Sequence, residues 1–314
     1  MRILVTGAGG FFGANLCAKL LEDETNLVIG LDNFIAGRHE YIYNLKLAKR
    51  FKFYELDCRD SKKLLETVLE EFDIIVHLAA NSDIAAATKN PTIDFDLGVG
   101  TTEAILEFAR LRSVKRFLFS SGSGVYGEDS NVVFSESSST SQPISTYGAS
   151  KIACEALISS YAFMFGIKAT VFRFCNLVGP YQTHGVVFDF IKKLRNVPTK
   201  LEVLGNGTQE KPYLDISDAI SAMLATIDQQ LTNFEIFNVS NTDTINVKWI
   251  AEQVMAAMGE GNIGTEIIYG NSDRGWLADV PKYRMSIEKI SKFGWRPTRT
   301  SMEAIHSSIS SNLQ

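Results

Sequence analysis

Short apolar runs rich in branched residues alternate along this chain with segments whose apolar residues recur at helical spacing. Ile3-Leu4-Val5 is the first run and predicts a buried strand. Asn15 to Glu22 comes next, with Leu16, Leu20 and Leu21 on the helical period. Leu27 to Leu31 predicts the second strand and Phe51 to Leu56 the third. Ser61 to Glu71 predicts a helix capped by Asp60 or Ser61. Asp73 to Leu78 predicts the fourth strand, Thr101 to Arg112 a helix and Val114 to Ser120 the fifth strand. Tyr147 to Phe165 predicts a long helix and Lys168 to Phe174 the sixth strand. This alternation implies an α/β fold, a doubly wound parallel sheet with helices on both faces. Beyond residue 175 the pattern loosens into a turn at Gly205-Asn206-Gly207 and short elements. The expected division is a first domain over 1–175, with a return of segments near 215–240, and a smaller C-terminal α/β lobe over 176–314. The serine-rich stretch Ser135 to Ser145 reads as a loop, and no internal repeat is present.

Composition narrows the function classes. The chain has 314 residues, 45% of them apolar, with a formal net charge of −5. It is long enough to bury one large core or two modest ones. A slightly acidic chain without basic runs argues against nucleic acid as a partner. No stretch reaches the roughly 18 apolar residues that span a bilayer, and no leader precedes the first strand, so a cytoplasmic protein is expected. Four cysteines, Cys17, Cys58, Cys154 and Cys175, lack metal-ligand spacing and read as free thiols in a reducing compartment. No metal site is expected.

The first predicted strand runs straight into Thr6-Gly7-Ala8-Gly9-Gly10-Phe11-Phe12-Gly13. Glycines let a backbone turn sharply and approach a pyrophosphate, and the helix after them offers N–H groups to the anion. Strand before and helix after favour a dinucleotide site over a plain turn. Asp32-Asn33 ends the second strand. A carboxylate there can accept from adenosine ribose hydroxyls and would repel a 2′-phosphate, which favours NAD over NADP. Arg38 could serve a 2′-phosphate, six residues further on.

Tyr147 and Lys151 lie four residues apart on the long predicted helix and so share a face. A free phenol, with a pKa of about 10, is a poor base at neutral pH. A nearby ammonium stabilises the phenolate. The pair comes after the fifth strand, and ligands sit at the carboxyl ends of such strands. An exposed Tyr and Lys on a helix is the bland alternative.

These motifs together resemble the extended short-chain dehydrogenase/reductase superfamily, in its nucleotide-sugar branch around UDP-glucose 4-epimerase. The resemblance rests on the glycine run, Asp32-Asn33, His77-Leu78-Ala79-Ala80, Phe119-Ser120-Ser121 with Val125-Tyr126-Gly127, Tyr147 to Lys151, and Arg173-Phe174-Cys175-Asn176 with Gly179-Pro180. It extends to Gly205 through Gln209 with Asp218, and to Arg274-Gly275-Trp276 with Asp279-Val280-Pro281, nearly the whole chain. It implies a Rossmann domain binding NAD. It implies cofactor contacts at Gly7, Gly9, Gly10, Phe11, Phe12, Gly13, Asp32, Asn33, Asp57, Cys58, Leu78, Ala79, Ala80, Ser120, Tyr147 and Lys151. Asp57 and Cys58 match the pair that flanks the adenine. It implies substrate contacts at Ser82, Asn176, Val187, Lys211 and Arg274, with Lys211 standing where an arginine more often meets the diphosphate. Tyr147 and Lys151 are the implied catalytic residues.

Two positions depart from the family pattern. Gly122 fills the slot, three residues before Val-Tyr-Gly, where many relatives have Ser or Thr. Ser121 and Ser123 flank it, and either could supply the missing hydroxyl, with Ser123 preferred. Leu97-Gly98-Val99-Gly100-Thr101 stands where relatives often have Asn-Val-x-Gly-Thr, so an amide contact near the nicotinamide is lost. Dehydratase and decarboxylase relatives carry an acidic residue in the serine loop, and Gly122-Ser123-Gly124 has none. The resemblance therefore implies a redox-neutral epimerase of a UDP-sugar, acting at C4 through a 4-keto sugar. A keto-sugar reductase or 3,5-epimerase using His184 as an extra acid is the alternative, and a non-catalytic NAD-binding regulator a remote one. Relatives often dimerise through two helices. Here these are Thr101 to Arg112 and Tyr147 to Phe165, with Ile158, Tyr161, Ala162 and Phe165 as the outward apolar stripe.

Overall fold

The computed structural model describes residues 1–227, 229, 231–259 and 264–314. Residues 228 and 230, in the expected return segment, and 260–263, in the expected lobe, lie outside the described residues. The chain divides into two units, each assembled from separate stretches. The first comprises Met1–Val125, Thr146–Arg173 and Met223–Phe237; the second comprises Tyr126–Ser145, Phe174–Ala222 and Asn238–Gln314.

The first unit is built on a sheet whose strands are β1 (Arg2–Thr6), β2 (Leu27–Asp32), β3 (Phe51–Glu55), β4 (Ile74–His77), β5 (Arg116–Gly122), β6 (Lys168–Phe174) and β7 (Phe234–Val239). Their order is β7-β6-β5-β4-β1-β2-β3. The pairs β1–β2, β2–β3, β1–β4 and β4–β5 are parallel. The chain winds outward from β1 to β3, then returns to β4 and winds the other way. This doubly wound order puts a topological switch point between β1 and β4, where such folds bind ligands. The helices are α1 (Phe11–Leu21), α2 (Ser61–Thr67), α3 (Gly100–Leu111) and α4 (Thr146–Phe165). Wholly buried Leu4, Ile29, Ile75, Phe117 and Val171 come from five neighbouring strands. They explain why the strands read as continuous apolar runs rather than alternating ones.

Three local features differ from the sequence pattern. The expected helix from Ser61 to Glu71 is capped by Asp60, whose side chain accepts from the Lys63 N–H, but it ends at Thr67. Val68 turns to extended backbone there and joins the core with Phe72. The helix expected from Thr101 is preceded by a π turn over Phe95–Val99, the stretch that departs from the family pattern. Ile158 and Ala162, expected to face outward, are wholly buried in the core. They belong to the α4 stripe that carries Cys154 inward, while Phe163 and Met164 on the other side are 72% and 71% exposed.

The second unit holds short strand pairs. Tyr213–Asp215 runs parallel to Asn176–Val178, and Glu266–Tyr269 parallel to Lys200–Val203. Helices Val186–Asn196, Val247–Ala257 and Ser301–Leu313 surround a core that includes Phe190, Leu201, Ile250 and Ile305. The last helix starts with a capping box in which the Glu303 carboxylate accepts from the Thr300 N–H and the Thr300 hydroxyl accepts from the Glu303 N–H.

Candidate active site

In the first unit, the glycine run turns at the end of β1 and enters α1. Gly7 has φ +70°, and a Cβ there would lie 2.9 Å from the Ala79 nitrogen. A Cβ on Gly13 would fall 2.0 Å from the Gly7 carbonyl oxygen, so only glycine lets the helix sit this close to the turn. No side chain caps the N-terminus of α1 at Gly10. An anion is the partner such an end favours. Phe11 and Phe12 open the helix, half-buried.

Asp32 is buried at the end of β2, and burial holds its carboxyl above the usual range. Its two oxygens accept from the Gly9 N–H at 2.8 Å and the Phe34 N–H at 2.7 Å. A carboxylate offers about four acceptor sites, so further donors can still reach it. Asn33 donates to Asp57 at 3.0 Å, and Arg59 forks onto the same carboxylate at 3.0 and 2.7 Å. Arg59 holds the Asp57 carboxyl down at about 2. Cys58 is buried and burial pushes its thiol up, so the thiol is unreactive. Arg38 faces Glu40 at 3.7 Å.

Beneath the turn after β4 runs a buried polar chain. The Leu78 and Ala79 N–H groups donate to the Thr6 hydroxyl, both at 3.2 Å. That hydroxyl lies 2.7 Å from His77 Nδ1, and His77 Nε2 lies 3.1 Å from the Thr102 hydroxyl. Thr102 donates to Cys154 Sγ at 3.2 Å. One direction satisfies every link: Thr6 donates to Nδ1, and the imidazole donates from Nε2. Burial, aided by the Lys151 charge, lowers the His77 pKa to about 3, so the ring is neutral. Ala80 and Ser82 come next, half-buried, beside Asn81, which donates to the buried Asp94 at 2.8 Å.

Tyr147 and Lys151 lie one turn apart on α4, as their spacing requires. Thr146 donates to Asp94 at 2.7 Å and so fixes the start of this helix. Lys151 is buried, donates to the Ser120 carbonyl at 2.8 Å and stands 4.7 Å from the Phe119 ring centroid. Its ammonium is 5.5 Å from the Tyr147 ring centroid. The Ser120 bond uses one of its three N–H donors. Gly124 lies against the Tyr147 ring, where a Cβ would make ordinary contact at 3.6 Å, so the serine loop and the phenol are neighbours. Ser121 is turned away: its hydroxyl donates to Glu155 at 2.6 Å. Ser123 begins a short 3-10 turn and is half-buried.

The second unit holds the other candidates. Asn176 and Tyr213 face each other in paired strands. Val187 lies wholly in the core, so only its backbone can meet a ligand. Lys211 pairs with Asp279, whose other oxygen accepts from the Gly275 N–H at 3.0 Å. Arg274 donates to both Glu128 oxygens, at 2.7 and 2.8 Å, and to the Asp279 carbonyl at 2.7 Å. Lys211 and Arg274 thus meet through Asp279. Sequence reasoning missed Glu128, Glu155 and the role of Asp279 as a bridge. The only signal for Glu155 is its spacing, one turn beyond Lys151.

Among the described residues, no group of three His, Cys, Asp or Glu side chains is arranged to hold a metal, and no helix is long and apolar enough to cross a membrane.

Comparison with known proteins identifies the class that this geometry suggests. The chain belongs to the NAD dependent epimerase/dehydratase family, whose model matches residues 3–240, and the family's cofactor is NAD. It is 33% identical to an uncharacterized UDP-glucose epimerase, YtcB, of Bacillus subtilis, over 79% of each chain. It is 28% identical to a human dTDP-D-glucose 4,6-dehydratase, covering 98% of this chain and 89% of that one. Among solved structures, a UDP-galactose 4-epimerase superposes with a TM-score of 0.87 at 34% identity, covering 99% of this chain and 98% of that one. A UDP-glucuronic acid 4-epimerase from Bacillus cereus, in complex with UDP-glucuronic acid and NAD, superposes at 0.88 with 26% identity, covering 100% and 99%. The chain is therefore an enzyme of the epimerase/dehydratase class with a nucleotide-sugar 4-epimerase likeness.

Proposed function

We propose that this protein interconverts UDP-hexoses at C4 through a transient 4-keto sugar, with NAD retained throughout. The observation that carries this reading is the placement of Tyr147 one turn from the buried, β5-anchored Lys151, with the bare Gly124 against the phenol ring. The glycine turn, the uncapped start of α1 and the Asp32 carboxylate fit a dinucleotide. The Asp32 carboxylate would repel a 2′-phosphate, which supports NAD.

NAD supplies reversible hydride exchange with the sugar carbon. The chain's own residues manage the proton and the geometry. Tyr147 takes the proton of the C4 hydroxyl and later returns it. Lys151 favours the phenolate electrostatically. Ser123 orients the reacting oxygen, since the Ser121 hydroxyl already serves Glu155. Lys211 and Arg274 hold the diphosphate, with Asn176, the Val187 backbone and Ser82 as further substrate contacts. The loop Gly122-Ser123-Gly124 offers no acid to expel water, which supports epimerisation over the dehydration catalysed by some relatives. Four buried free cysteines fit a reducing, cytoplasmic setting, and the exposed end of α4 fits a homodimer.

A coupled assay tests the reading. Purified protein is incubated with UDP-glucose, UDP-galactose and their N-acetyl and uronic acid forms, without added cofactor, and products are separated by chromatography. C4 epimers should accumulate with no net NAD(P)H change. In a parallel incubation with NAD(P)H supplied, its stoichiometric consumption would replace epimerisation with keto-sugar reduction.

A further inference from the structure

We propose that Ser121, Glu155 and Arg173 form a positioning clamp that fixes the end of β5 and so aims Ser123 at the reacting hydroxyl. The inference rests on the reading of Tyr147 and Ser123 as the proton-handling groups.

The three side chains are almost fully enclosed, at 3%, 6% and 4% exposure. Arg173, on β6, donates from Nε and Nη2 to the two Glu155 oxygens at 3.0 and 2.6 Å. This fork fixes the plane of the carboxylate. One of the same oxygens, Oε1, accepts from the Ser121 hydroxyl at 2.6 Å. Glu155 lies one turn beyond Lys151 and two beyond Tyr147, on the same face of α4. Lys151 holds the Ser120 carbonyl and Glu155 holds the Ser121 hydroxyl. Two successive residues of β5 are thus gripped by two successive turns of the helix that carries the phenol.

The residues after Ser121 make such a grip necessary. The chain continues as Gly122-Ser123-Gly124, and glycine leaves the backbone freer than any other residue. No side chain at 122 or 124 can steer Ser123, so its direction depends on the residues anchored before it and on buried Val125 and Tyr126 after it. A buried ion pair gives little stability over well-packed apolar residues of equal volume. Its presence behind the catalytic helix is therefore read as geometric. Misplacing a reacting group by about 1 Å can cost about 100-fold in rate.

The test uses the NAD-loaded protein, the variant Ser121→Ala, and a double variant, Glu155→Met with Arg173→Met, that removes both charges together. Each should lower kcat by about 10- to 100-fold while the KM for the nucleotide sugar stays within about twofold. Amide hydrogen exchange in residues 119–125 should quicken by about tenfold, while β1 stays protected and bound NAD is unaltered. A wild-type kcat, an equal rise in KM, or unchanged exchange in 119–125 would overturn the clamp. If the double variant does not fold, Ser121→Ala decides, because it leaves the ion pair whole. If the wild-type protein converts no nucleotide sugar, the functional reading fails, and the exchange arm still judges the clamp.

Discussion

At the scale of single residues, most of the chemistry depends on which polar groups are buried and what faces them. Asp32, Asp94, Glu155 and His77 are all enclosed, and each has defined partners. Sequence made Asp32 legible because a carboxylate at the end of a second strand has a known use there. Glu155 was not legible: a glutamate on a helix reads as surface, and its arginine comes from a strand 18 residues away. The choice between Ser121 and Ser123 was equally hidden, since neighbours on a chain carry no sign of which way a hydroxyl turns.

His77 offers a residue-scale test. Its folded pKa is about 3, below the unfolded value of about 6.5, so the unfolded state binds more protons between those values. Stability should therefore fall as pH drops below 6.5, by up to about 1.4 kcal/mol per pH unit from this group. His77→Gln removes the titration while keeping an amide donor. It should cost about 1–2 kcal/mol at pH 7.5 from imperfect hydrogen bonds. Urea unfolding at pH 7.5 and 5 should show a shallower loss in the variant. Equal losses in both proteins would mean that His77 is not the proton-linked group.

At the scale of elements, strands with short apolar runs and the glycine turn were readable, because both patterns arise directly from burial and backbone sterics. Helix faces were harder. α4 is apolar on more than one side, so Ile158 and Ala162 read as outward when they fill the core. The π turn over Phe95–Val99 has no local signature beyond Gly98, which sits against Ser150 of α4. The exposed apolar residues at the end of α4 are Phe163, Met164 and Phe165. If α3 and α4 form the homodimer contact, Phe163→Asp with Met164→Asp should turn a sedimenting dimer into a monomer at micromolar concentration. A monomeric wild-type protein, or an unaffected dimer, would remove α4 from that role.

At the scale of the whole molecule, the fold class was legible from alternation alone, but the exact grouping of segments, beyond the return expected near 215–240, was not. Residues 126–145 join the second unit and 223–237 the first. Such returns depend on contacts between distant segments, which periodicity does not encode. The chemistry divides in the same way. The first unit carries the glycine turn, Asp32, Tyr147 and Lys151; the second carries Lys211, Arg274 and the carboxylates that tie them.

The most direct measurement is the turnover of UDP-glucose and UDP-galactose by Tyr147→Phe beside the wild-type protein, with bound NAD quantified in both and none added. The expected result is interconversion by the wild type and a rate at least about 1000-fold lower in the variant, with equal NAD content. Near-normal epimerisation by Tyr147→Phe would contradict the phenol's role and the function built on it.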